Sequence, residues 1–220
     1  IGVNVFGGES FAISGNNISS NTEAGVKLDP YWDTYNEGDS VPTIDIVDNN
    51  FADNPTQVGD PSGEISLNAV LGNNTFDAAV TVDGAGIFSL IQGAVDAASS
   101  GDTIGVGPGT YNESVSISTA NVTLTSTGSA GETTINATGS GDAVSISSQG
   151  VTVSGFTLVT DSTGVDVGAD ADAGTGIVVS QNNIVDVSEG VNATDGTGTV
   201  DATSNWWGAT NGPSGDFDGN

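Results

Sequence analysis

Asparagine recurs at one place in a repeated pattern, and its side chain can accept and donate hydrogen bonds at once. The pattern is apolar-x-apolar, then small or polar residues, then Asn, then another apolar residue. It runs through Ala12-ISGNNIS, Ile44-DIVDNNF, Leu67-NAVLGNNTF, Ile177-VVSQNNIVDV and Thr199-VDATSNWWG, and it selects Asn17, Asn50, Asn74, Asn183 and Asn205. Stacked at regular intervals, such side chains make a hydrogen-bonded ladder, and asparagine also tolerates the left-handed backbone of a sharp corner. A second chemistry open to asparagine is N-glycosylation, since Asn-x-Ser/Thr sequons stand at Asn17, Asn73, Asn112, Asn121, Asn136 and Asn192. Six is close to what the composition gives by chance. The sequence favours Asn112, Asn121, Asn136 and Asn192 as acceptors and sets Asn17 aside as a member of the buried ladder.

The carboxylates are numerous but poorly supported for catalysis. The chain has 28 Asp and Glu against one basic residue, Lys27, with no histidine and no cysteine. Elimination from a uronate needs a base, usually Arg or Lys, together with cations to neutralise the substrate carboxylate. Paired carboxylates could cleave a glycosidic bond, yet so many acids guarantee accidental pairs, and a polyanionic groove repels uronates. No catalytic residue is assigned, and the chain reads as a non-enzyme. Asp170, Asp172, Asp216 and Asp218 resemble fragments of Ca²⁺ loops, where hard oxygen ligands alternate along the chain, but neither pair is followed by the distal bidentate Glu of an EF-hand. They are weak candidates for Ca²⁺ or another cation, and no other cofactor is expected. The aromatic clusters are Tyr31, Trp32 and Tyr35, in a loop, and the pair Trp206 and Trp207. Either could contact a glycan or another subunit.

A net charge of −27, spread singly along the chain, excludes nucleic acid and anionic membranes as partners, because both need Lys or Arg to neutralise phosphates. Self-repulsion opposes the compact state at low salt. At molar salt the Debye length falls to about 3 Å and the repulsion is screened. This composition is the habit of proteins from salt-saturated surroundings, which points to a halophilic microbe and to an archaeon among them. No apolar run reaches the ~18 residues that a bilayer span needs. The first residue is Ile1 rather than Met, so a processed protein or a piece of a longer one is expected.

The elements that must position these residues are short. Val115-Ser-Ile117, Val122-Thr-Leu124, Val144-Ser-Ile146, Val151-Thr-Val153, Phe156-Thr-Leu158 and Val165-Asp-Val167 continue the apolar-x-apolar grammar without the asparagine. Strands of three or four residues that recur every 22–28 residues suit a coil of three strands per turn, each pointing an apolar side chain inward and stacking into parallel sheets. A β-sandwich would want longer strands and a hairpin turn every 8–12 residues, whereas Asp83-Gly84 is the one well-placed two-residue hairpin signal. The one helical period is Leu90, Ile91, Ala94, Val95 and Ala98, which predicts a short amphipathic helix near residues 88–99, stopped by Gly101-Asp102.

The run Ile91-QGAVDAASSGDTIGVGPGTYNESVSI resembles the opening of right-handed parallel β-helix domains of the pectin-lyase-like superfamily, and Ser204-NWWGATNGPSG resembles their closing segment. The resemblance implies an all-β, right-handed parallel β-helix with one short capping helix. It says little about activity, because that fold hosts lyases, hydrolases, adhesins and structural proteins. On this reading residues 1–84 are late coils with a loop insertion at 29–42, and residues 85–220 are the capping helix, further coils and a closing segment. An opening that sits mid-chain suggests modules joined head to tail, in tandem or between copies, and a heterologous contact of that kind propagates as a fibre. With strands ~4.8 Å apart and roughly nine or ten coils, continuous stacking predicts a rise near 45 Å per chain. The expected function is therefore structural: a self-assembling extracellular filament or cell-surface layer, partnered by copies of itself and by glycans. The alternatives are a carbohydrate-binding, tail-spike-like adhesin and, behind it, a polysaccharide lyase or hydrolase.

Overall fold

Alternation of apolar and small polar residues writes the strands, and what they pair with follows from where the apolar side must go. The structure is a computed structural model that describes residues 1–5, 11–28, 44–60, 65–168, 171, 176–193 and 199–208. The insertion expected at 29–42, with Tyr31, Trp32 and Tyr35, lies outside the described residues, as do Asp170, Asp172, Asp216 and Asp218. The chain divides into two units, one of Ile1–Ala98 with Thr103–Gly105 and one of Ser99–Asp102 with Val106–Asn220.

The first unit is built from β1 (Val3–Val5), β2 (Phe11–Ser14), β3 (Asn17–Ser19), β4 (Ala24–Leu28), β5 (Ile44–Val47), β6 (Asn50–Ala52), β7 (Thr56–Gly59), α1 (Leu67–Asn73), β8 (Thr75–Phe76), β9 (Val80–Val82), β10 (Gly86–Phe88) and α2 (Ile91–Ala97). Apart from the β9–β10 hairpin, consecutive strands of the unit do not pair with each other. Instead β1 pairs in parallel with β4 and β4 with β7, β2 with β5, and β3 with β6 and then β8. The chain thus visits three sheets in turn and returns one strand further along, which is a solenoid-like all-β arrangement. Ile13, Ile18, Val26, Leu28, Ile46, Phe51, Val58, Val70 and Ile87 form its core, and Phe51 and Phe76 stack with ring centres 5.0 Å apart.

Two features depart from the expectation of uniform parallel strands and a single helix. Leu67–Asn73 read as strand grammar, but it is a helix. Leu67, Val70 and Leu71 follow the i, i+3, i+4 spacing of one helical face, and the Ser66 hydroxyl caps the start by accepting from the Ala69 N–H. Seven residues do not hold a helix alone; Val70 in the core, with Leu67 and Leu71 packed beside it, supplies the reason it persists. The second departure is β10, which runs antiparallel to both β9 and β7. Asp83-Gly84 turns the chain between β9 and β10, with Gly84 at φ +74, as the hairpin signal predicts. Gly86 then lies so close to β7 that a Cβ would stand 2.1 Å from the Val58 carbonyl oxygen.

The helix expected near 88–99 is α2, shorter than the apolar pattern suggested. Ile91, Ala94 and Val95 are buried, but Leu90 sits at the extended N-cap position and is 49 % exposed. Only the residues at i, i+3 and i+4 share the inward face.

The second unit repeats the visiting pattern with β12 (Gly109–Tyr111), β13 (Val115–Ile117), β14 (Thr123–Ser126), β15 (Thr133–Asn136), β16 (Val144–Ile146), β17 (Thr152–Ser154), β18 (Thr157–Val159), β19 (Thr163–Val167), β20 (Ile177–Ser180), β21 (Asn183–Val185), β22 (Glu189–Asn192) and β23 (Val200–Asp201); the remaining strand of the chain is β11 (Thr103–Val106). The pairings are parallel and in register: Leu124 beside Val153 and Val179, Ile135 beside Leu158 and Ile184, Ile117 beside Ile146 and Val167. Both apolar residues of most triplets face inward, Val115 and Ile117 or Val144 and Ile146, where one per strand was expected. At about 1.5–3 kcal/mol for each fully buried aliphatic side chain, these stacks dominate the stability of the unit. Among the described residues no helix is long and apolar enough to cross a membrane.

Candidate functional site

The asparagines do form ladders, one residue away from where three of them were expected. In the first unit the Asn16 N–H and Nδ2 donate to Asn49 Oδ1 at 3.0 and 3.1 Å, and the Asn49 N–H and Nδ2 donate to Asn74 Oδ1 at 2.9 and 3.0 Å. In the second unit Asn182 donates in the same way to Asn205 Oδ1 at 3.0 and 3.2 Å, and Asn182 Oδ1 accepts from the Phe156 N–H. Each Nδ2 also donates backwards to a carbonyl of the preceding turn, Asn49 to Ile13, Asn74 to Ile46, Asn182 to Val153 and Asn205 to Val179. Asn74 and Asn205 therefore stand where expected. The correction concerns Asn17, Asn50 and Asn183: the ladder uses Asn16, Asn49 and Asn182, while Asn17 and Asn50 are exposed and Asn183 lies outward on β21, bonded to Thr157.

The physical reason is the period of two. A residue next to an inward apolar side chain must point outward, so Asn17 beside Ile18, Asn50 beside Phe51 and Asn183 beside Ile184 cannot turn in. The ladder asparagine lies two positions before the inward residue in every case: Asn16 and Ile18, Asn49 and Phe51, Asn74 and Phe76, Asn182 and Ile184, Asn205 and Trp207. Nor are the ladder asparagines the left-handed residues. Positive φ falls on the residue before them, at Gly15, Asp48, Gln181 and Ser204. That residue turns the corner, and the next side chain is aimed along the stack.

A second polar line was not legible in the repeat. The Asn21 N–H and Nδ2 donate to Asn54 Oδ1, Asn54 Nδ2 donates to the Ile18 carbonyl and to Gln57 Oε1, and Gln57 Nε2 donates to Asp77 Oδ1 at 2.6 Å. Asn54 and Gln57 are fully buried, so each bond answers a desolvation cost of about 1–3 kcal/mol per unsatisfied group. Left-handed Ser20 and Asp53 precede Asn21 and Asn54, the same two-residue device as in the first ladder.

The sequons differ sharply in surroundings. Asn136 is tied down: its Nδ2 donates to Asn112 Oδ1 at 3.1 Å, and its own Oδ1 accepts from the N–H and hydroxyl of Thr138. Asn192 donates to Asp166 at 2.8 Å, and its Oδ1 is buried without a hydrogen-bond partner among the described residues. Asn121 is exposed at φ +60 and donates to the Ser100 hydroxyl. Asn112 is exposed, but the Ser114 hydroxyl of its sequon donates to the Asp142 carbonyl.

Trp207 occupies the inward position of the last described turn, and its ring covers Gly190, where a Cβ would meet Cζ3 at 2.7 Å. Trp206 faces out and is 46 % exposed, with its backbone bridging to Asn183. Among the described residues three carboxylates depart from the ordinary range, all downward. The Ser129 N–H and hydroxyl hold Glu132 low, the Ser162 hydroxyl with the Thr163 N–H holds Asp142 low, and the Thr203 hydroxyl and N–H hold Asp201 low. Hydrogen bonds to the charged form cause all three shifts. Among the described residues no group of three or more acids is placed to hold a metal ion. A polar groove of about 500 Å³ opens beside the first ladder, lined by Asn17, Asp48, Asn50, Asn73 and Thr75 among others. No family model matches the chain, and no curated protein or solved structure matches it.

Proposed function

We propose that this chain is a non-enzymatic structural module, a right-handed parallel β-helix that joins copies of itself head to tail in an extracellular filament or surface layer adapted to high salt. The observation that carries the reading is the polarity of the asparagine ladder. In each later rung Oδ1 accepts from the rung before it. Asn16, in the first rung, is exposed, and its Oδ1 accepts nothing among the described residues. In the last rung of the second unit the Asn205 backbone N–H, whose counterparts at Asn49 and Asn182 donate to the following Oδ1, has no acceptor among the described residues. A next copy would offer Asn16 Oδ1 to Asn205, and its Asn16 Nδ2 to the Ala202 carbonyl. Strands β1, β2 and β3 each pair on one side only among the described residues, and such edges are templates for a further strand.

Electron microscopy and light scattering of the protein in molar salt test the proposal. Fibres or sheets are expected, and Asn16→Ala should shorten them while leaving the β-sheet circular dichroism intact. Isolated particles at every salt concentration would refute it.

A further inference from the structure

We propose that Asn17 and Asn73 are the N-glycan acceptors of this chain and that Asn136 and Asn192 stay bare, the reverse of the order the sequence suggested. The inference rests on the extracellular placement proposed above. The co-reactant is an oligosaccharide carried on a lipid phosphate. The bond from its anomeric carbon to the phosphate oxygen breaks, the electron pair leaves with the phosphate, and a new bond forms to the asparagine Nδ2, which gives up one proton. The acceptor must therefore present a free Nδ2, with room beyond it for a sugar ring, and a sequon hydroxyl that is not already engaged.

Asn17 and Asn73 meet all three conditions. Both are exposed, neither side chain makes a hydrogen bond among the described residues, and Ser19 and Thr75 are exposed with their hydroxyls equally free. Asn17 is outward on β3 because Ile18 is inward, and Asn73 ends α1 with its backbone carbonyl, not its side chain, bonded to the Asp48 N–H. Both open onto the polar groove, which leaves a cleft of about 500 Å³ at their amides.

Asn136 and Asn192 fail the same conditions. A sugar on Asn136 would break its bond to Asn112, and both the amide oxygen and the hydroxyl of that sequon are already paired with each other. Asn192 would have to abandon Asp166 and bring a buried Oδ1 to the surface. Asn112 and Asn121 rank between: the Asn112 amide oxygen and the Ser114 hydroxyl of its sequon are bonded but its Nδ2 makes no bond among the described residues, and Asn121 Nδ2 donates to an exposed hydroxyl.

Peptide mass mapping of the protein isolated from the cells that make it tests this, with the surface and cytosolic fractions mapped separately. Occupancy at Asn17 and Asn73 should exceed that at Asn136 and Asn192 by roughly tenfold, since the Asn136 and Asn192 side chains must first give up their hydrogen bonds. The double variant Asn17→Gln, Asn73→Gln should lose most of the added mass, and Asn136→Gln, Asn192→Gln should lose none. Glycan on Asn136 or Asn192 with Asn17 and Asn73 bare overturns the inference, as does a bare chain in the surface fraction. A chain found bare and only in the cytosol overturns the extracellular placement, and the inference with it.

Discussion

Replacing Asn49 with alanine separates the two readings of the ladder. Asn49 is 2 % exposed, and its side chain takes part in five hydrogen bonds: two accepted from Asn16 and three donated to Ile13, Val47 and Asn74. Alanine removes all five, and with them the side-chain partners of the Ile13 carbonyl and the Asn16 N–H. At the low end of about 0.5–1.5 kcal/mol net for each bond, the loss is about 2.5 kcal/mol. Against a total stability of about 5–15 kcal/mol this is a large fraction, and for a chain of this size it lowers Tm by roughly 5–10 °C. Asn50→Ala, one residue on, removes an exposed side chain and should stay within about 0.5 kcal/mol of the parent. Thermal melts followed by circular dichroism in molar salt give both numbers. If Asn49→Ala melts within about 1 kcal/mol of the parent, or Asn50→Ala is as damaging, the assignment of the ladder is wrong.

Salt should stabilise the fold, since a net charge of −27 is screened over about 10 Å at 0.1 M but about 3 Å at 1 M; a melting temperature that is flat or falling from 0.1 to 1 M would contradict this. Gly190→Ala drives a Cβ to 2.7 Å from the Trp207 ring and should cost about 1–3 kcal/mol, and adding Trp207→Ala should relieve part of that cost as a measurable coupling in a double-mutant cycle. Asp142 has a folded pKa below its unfolded value, so its contribution is present above about pH 3.9 and is lost as pH falls through the lower folded value. Asp142→Asn should therefore weaken the protein at neutral pH by about 0.5 kcal/mol or less, because the group is largely solvated. The difference should vanish once acidification protonates the folded-state carboxyl, and a gap that persists in the protonated form would rule out the Ser162 and Thr163 bonds as its source.

Much of the architecture was legible. Val115, Ile117, Val122, Leu124, Val144, Ile146, Val151, Val153, Phe156 and Leu158 are all buried, as their alternation required. The ladder was legible as a repeat but misplaced by one residue at Asn17, Asn50 and Asn183, because the asparagine adjacent to the apolar residue was chosen instead of the one in phase with it. Applied strictly, the period of two would have selected Asn16, Asn49 and Asn182. The helix at Leu67–Asn73 was hidden by a conflict of local signals: Asn73-Asn74-Thr75-Phe76 matches the strand repeat, while Ser66, Leu67, Val70 and Leu71 match a capped helix.

Residue order alone determined the side each strand turns inward, because a pleated chain has no other way to bury one residue in two. It also determined the corners, where a left-handed residue is followed by asparagine. Only the tertiary structure decided which side chains find partners one turn away. Asn16 and Asn49 are 33 residues apart and Asn182 and Asn205 are 23, yet both contacts depend on the same stacking of strands. The sequons carry the same lesson. Asn17, Asn73, Asn136 and Asn192 share one local motif, and what distinguishes them is whether the neighbouring turn supplies a carboxylate, an amide or open solvent.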